Sequence, residues 1–209
     1  WSDIIVCDYN YVFDPRAHLK RFFQDARGQY AFLIDEAHNL VDRAREMFSA
    51  ELYKGEILGL KRLTGKTHPD LTKKLDALNK YFIKLGKKVD KEGDGESWVN
   101  PELSTDLLAL VHNFLKEAEK VLAQGSSLLF WDELIDFYFQ ALGFERTGEL
   151  FDEHYTTYAE KQGKEVRFRL FCLDDVDTTK VDRPVEPWCP LRKAFWSLLG
   201  AGQWLLMTR

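Results

Sequence analysis

Leu71, Leu75, Leu78, Phe82, Leu85 and Val89 are spaced alternately four and three residues apart. On a helix these six fall within about 40° of one line. Residues from about Asp70 to Val89 therefore read as one long helix with a single buried edge. Lys73, Lys80, Lys84, Lys87 and Lys91 gather on the opposite side. Residues 61–91 hold ten Lys or Arg against three acids, a local charge of +7 in a chain whose net charge is −5. A lysine stripe neutralises phosphates without reading bases, and so suits contact with nucleic acid of any sequence. The same stripe is also what a solvated helix face looks like.

The neighbourhood of this helix reads as helical throughout. From Glu51 to about Leu142 there is helical periodicity and almost no strand signal, which implies an all-helical insertion. Glu92 to Asn100 reads as a polar loop, and Pro101 suits a helix start. Leu103, Leu107, Leu108, Val111, Phe114, Leu115, Ala118, Val121 and Leu122 then form a broad apolar face that stops near Gly125. Leu128 to Leu142 is apolar nearly all round, and its aromatics read as core in the most buried helix. His112 has no partner at metal-ligand spacing.

Both flanks are rich in strand signals. Asp3-Ile4-Ile5-Val6-Cys7 suits a buried parallel strand, Asp14-Pro15 a turn, and Arg16 to Ala26 a helix stopped by Gly28. A second strand through Ala31-Phe32-Leu33-Ile34 ends in Asp35 and Glu36. Strand, helix, strand implies a parallel pair with a right-handed crossover. Open α/β sheets bind ligands at the carboxyl ends of their strands, so Asp35 is placed to hold Mg²⁺ and Glu36 to activate a water. After Gly143, residues Glu149 to Glu160 and Glu165 to Leu173 read as a hairpin, with Val166, Phe168, Leu170 and Cys172 alternating against Arg167, Arg169 and Phe171.

Asp35-Glu36-Ala37-His38 after an apolar strand resembles the DEAH box of superfamily 2 helicases. The wider text Cys7-Asp8-Tyr9-Asn10-Tyr11-Val12-Phe13-Asp14-Pro15 and Leu33 to Leu40 looks like the iron–sulfur helicases of the XPD/DinG group. Arg169-Leu170-Phe171-Cys172-Leu173-Asp174 resembles the point where that group's helical arch returns to the motor. The resemblance implies an α/β fold: a partial RecA-like P-loop NTPase motor domain with parallel strands, a mainly α-helical arch insertion and a β-hairpin return. It divides the chain into residues 1–50 (motor domain 1), 51–143 (arch), 144–174 (return hairpin) and a divergent tail, 175–209. It further implies an ATP-dependent DNA helicase acting in repair or replication, with ATP, Mg²⁺ and a [4Fe-4S] cluster as cofactors. Single-stranded and forked duplex DNA are the partners it implies. Asp35 would bind Mg²⁺, Glu36 would activate water, His38 would couple the nucleotide site to DNA or to motor domain 2, and Lys73, Lys80, Lys84, Lys87 and Lys91 would touch DNA.

Some parts of that picture are missing from the 209 residues. No glycine-rich phosphate loop is present: Gly65-Lys66-Thr67 has the tail of the pattern in the wrong setting. Cys7, Cys172 and Cys189 are too few and too scattered for a cluster, and fit a reducing cytoplasm rather than a disulfide framework. With Trp1 at its start, the sequence reads as a piece of a longer chain whose phosphate loop and cluster cysteines lie upstream. The isolated fragment is therefore expected to be inactive. No Ser-Ala-Thr triplet follows Asp174, so the last thirty or so residues read as foreign to the helicase pattern. No run approaches the ~20 apolar residues that span a bilayer. Two alternatives remain: a non-catalytic helical module binding nucleic acid or protein through its lysines, and a magnesium-dependent nuclease using the paired acids.

Overall fold

The computed structural model describes residues 4–8, 10–14, 31–65, 67–125, 129–173 and 204–207. The chain divides into two compact units, Trp1–Phe48 with Cys172–Arg209, and Ser49–Phe171. Up to the first boundary the elements are α1 (Asn10–Phe13), β1 (Ala31–Ile34), a 3-10 turn (Ala37–Asn39) and α2 (Leu40–Met47). There follow β2 (Ala50–Tyr53), α3 (Lys54–Thr64), α4 (Pro69–Glu92), β3 (Ser97–Asn100), α5 (Thr105–Leu122), α6 (Trp131–Glu149), β4 (Tyr155–Gln162) and β5 (Glu165–Cys172). Last comes β6 (Trp204–Met207).

The larger unit is built on one antiparallel sheet of four strands in the order β2-β5-β4-β3. Gly163, at φ +61°, opens the two-residue turn between β4 and β5 in the conformation a tight hairpin asks of a glycine. Alternation does the rest: Val166, Phe168 and Leu170 turn inward and join Leu52 and Ala159 in the core. The helices supply the other half of that core. All six apolar residues that mark α4 in the sequence are buried, and each contributes on the order of 1.5–3 kcal/mol on removal from water. Gly86 lets α4 approach the sheet closely, since a Cβ there would stand 3.2 Å from Val166 Cγ2. Pro69 begins α4, and the Ser104 side chain caps α5 by accepting from the Leu107 amide at 3.3 Å.

The expected partial RecA-like motor with parallel strands is overturned. Residues 4–8 form no strand, and Ile4 and Val6 are 81% and 94% exposed. A parallel sheet persists where helices cover both of its faces, yet Leu33 on β1 is 77% exposed. Among the described residues β1 has one strand neighbour, β6, paired in parallel from Ala31↔Trp204 to Ile34↔Met207. That pair is no motor sheet. The helix expected over Arg16 to Ala26 lies outside the described residues, as does the divergent tail except for β6.

Two strands appear where the sequence reads helix or loop. Ala50–Tyr53 pairs antiparallel with β5, and Ser97–Asn100 with β4. α6 also differs from its expected burial. Leu134, Phe137, Ala141 and Phe144 are buried, but Phe139 is 61% exposed. Among the described residues no helix is long and apolar enough to cross a membrane.

Candidate nucleic-acid interface

Asp35, Glu36 and His38 sit where β1 gives way to the 3-10 turn. Glu36 adopts φ +50°, a left-handed conformation that costs a non-glycine residue about 1–2 kcal/mol. The Asn39 amide bonding to the Glu36 carbonyl at 2.9 Å helps hold it. The Glu36 amide donates to Asp35 Oδ1 at 3.0 Å, so one Asp35 oxygen is turned back on its own chain. The Glu36 carboxylate meets His38 Nε2 at 3.3 Å and accepts from Asn39 Nδ2 at 3.5 Å. The fold thus gathers Glu36, His38 and Asn39. The His38 and Glu36 side chains are 61% and 60% exposed, so bulk water surrounds the group. A base that must orient one water and strip its proton works best held in a closed, desolvated site.

The lysine stripe is a physical ridge. Lys73, Lys80, Lys84, Lys87 and Lys91 are all exposed, on the side of α4 away from its buried edge. Their pairing is uneven. Lys73 Nζ bonds Asp70 at 2.9 Å, and Lys80 bonds Asp76 at 2.8 Å, where Lys61 also donates. Hydrogen bonds from Lys61 and Lys80 hold the Asp76 carboxyl below its ordinary range, and Asp76 in turn raises Lys80. Lys88 lies 4.3 Å over the Trp98 ring and 3.6 Å from Glu92. Lys84, Lys87 and Lys91 make no ion pair or hydrogen bond among the described residues. Of the three, Lys91 lies in the last turn of the helix, where the carbonyl end of the dipole favours a cation.

A polar cluster covers the outer face of the sheet. Glu51 accepts from the Tyr53 hydroxyl at 2.7 Å and from Arg167 Nε at 2.9 Å, while Arg167 also lies 3.7 Å from Glu160. Burial works to raise the Glu51 carboxyl, but the hydrogen bonds from Tyr53 and Arg167 and the charges of Arg167 and Arg169 outweigh it and leave it lowered. Sequence alternation located the arginines. It missed Glu51 and Tyr53, because β2 was hidden in a helical reading.

The unit Ser49–Phe171 is thus a mixed α/β unit with a cationic helix on its surface. Residues 1–57 match the DEAD_2 family, a helicase-associated family. The match fits superfamily 2 helicases in general and does not single out the XPD/DinG group. No curated protein matches the chain.

The expectation of an ATP-hydrolysing DNA helicase is corrected on the same grounds. The letters Asp-Glu-Ala-His stand in the sequence, but among the described residues they do not occupy the motor-sheet setting of a DEAH box. Among the described residues no parallel motor sheet supports them, and the sequence contains no glycine-rich phosphate loop. Among the described residues no three His, Cys, Asp or Glu side chains are grouped to hold a metal ion. Asp35 and Glu36 supply two exposed carboxylates at most, and Cys7 is exposed while Cys172 is buried in the core side of β5. Two carboxylates are the number from which Mg²⁺ is commonly held together with substrate phosphates, and the two described cysteines fall short of the four that a [4Fe-4S] cluster takes.

Proposed function

We propose that the unit Ser49–Phe171 is a non-catalytic nucleic-acid-binding module of a helicase-related chain, and that it holds single-stranded DNA by its phosphates along α4. The observation that carries this reading is the exposed, unpaired trio Lys84, Lys87 and Lys91 opposite the buried edge of a rigid helix. Lysines on a helix contact phosphates as point charges, without base specificity. Lys73 and Lys80 extend the track. Their partners Asp70 and Asp76 hold them through surface ion pairs, weak enough for a phosphate to displace. No hydrolytic step is assigned to Asp35, Glu36 or His38.

Binding of a labelled oligo(dT) strand, followed by anisotropy, tests the proposal. Charge reversal at Lys84, Lys87 and Lys91 should weaken binding more than reversal at Lys73 and Lys80, because the trio gives up no native ion pair. Equal binding by the triple variant and the unaltered chain would remove α4 as the contact surface.

A further inference from the structure

On α6, Trp131, Ile135 and Phe139 recur at four-residue spacing on the side opposite Leu134, Phe137, Ala141 and Phe144, which enter the core. None of the three belongs to the core or packs against it. Trp131 and Ile135 are half-exposed, and Phe139 is more exposed still. Three large apolar side chains in line form a patch rather than the scattered exposure any surface shows. Asp132 and Asp136 border the stripe, exposed and without ion pair or hydrogen bond among the described residues. Residues 129–145 contain four acids and no Lys or Arg. The helix dipole accounts for acids in the first turn, but not for Asp136 in the second or for Phe139, which meets the Tyr138 ring edge-on at 5.5 Å and is still 61% exposed.

We infer that this face of α6 docks a basic amphipathic helix of a partner protein. Such a helix brings aliphatic or aromatic side chains at i, i+4 and i+7 onto Trp131, Ile135 and Phe139, and its flanking Lys or Arg onto Asp132 and Asp136. The charges select against other occupants. Nucleic acid and anionic lipid are repelled by the carboxylates. A second copy of α6 packed about a two-fold axis would set acids against acids. The chain then has two surfaces of opposite sign, the α4 ridge for phosphates and the α6 face for a cationic helix.

The test titrates the full chain into a labelled synthetic helix of about 20 residues, with Leu at i and i+4 flanked by Lys. Saturable binding is expected, weakened about tenfold by Phe139→Gln and by Asp136→Lys, with far-UV circular dichroism unchanged in both variants. The triple reversal at Lys84, Lys87 and Lys91 should leave it unaltered, so this result stands or falls apart from the nucleic-acid proposal. Absence of binding would overturn the inference. So would equal affinity for a peptide with Glu in place of Lys, equal binding by the α6 variants, or a concentration-dependent dimer abolished by Phe139→Gln.

Discussion

The carboxylate of Glu165 accepts a hydrogen bond from the Gly55 amide at 2.8 Å, across 110 residues of chain. Gly55 lies in the first turn of α3, where amides lack partners within the helix, and Glu165 is the first residue of β5. Lys54 Nζ adds a bond to the Lys164 carbonyl at 3.2 Å, so the tip of the hairpin is fastened to the start of a helix distant in sequence. No local motif announces such a cap. Glu165→Ala should lower stability by about 1 kcal/mol in urea denaturation, as loss of a helix cap does. Glu165→Gln keeps the acceptor oxygen and should lose less. Equal losses for the two variants would show that the carboxylate acts by charge alone.

The Glu51 cluster gives the sheet a dependence on pH with a definite sign. A lowered carboxyl binds its proton more readily in the unfolded chain. Its stabilisation is therefore complete above the unfolded value, near 4.5, and is lost as pH falls through the lower folded value. Glu51→Gln should cost about 1 kcal/mol at neutral pH, discounted for partial exposure, and progressively less below pH 4.5. Chemical denaturation at a series of pH values checks this; a cost that is constant down to pH 3 would contradict it.

Glu36 should be silent in both assays open to this chain. Glu36→Gln is expected to leave oligo(dT) affinity within about twofold, since its carboxylate is solvated beside His38 and away from the α4 lysines in sequence. The purified chain should show no DNA-stimulated ATP turnover above that of the variant. Turnover abolished by Glu36→Gln would restore a hydrolytic role to the paired acids.

How far the sequence discloses all this depends on how much of each pattern is local. α4 is legible because six apolar residues at helical spacing leave one solution, and every one of them is buried. The β4–β5 hairpin is legible because strand alternation continues on both sides of Gly163. β2 and β3 are four residues each, too short for a period to establish itself, and they become strands through β5 and β4. Phe48 and Leu52, four apart, fit a helix as well as Ala50 and Leu52 fit a strand. The motor expectation rested on Ile4 to Cys7 and on Ala31 to Ile34, apolar runs that become parallel strands when neighbours and covering helices exist. Among the described residues they have neither in sufficient measure. In the candidate site, the positions of the five lysines follow from helical geometry. Which of them are already paired does not, because Asp76 draws on Lys61 from another helix.

The salt dependence of single-strand binding probes the lysine ridge most directly. For single strands the slope of log affinity against log salt changes by about 0.7 per phosphate contact. Reversing Lys84, Lys87 and Lys91 together should make the slope shallower by about 2 and lower affinity most at low salt. A slope unchanged by the triple reversal would show that nucleic acid, if bound at all, is held elsewhere than on α4.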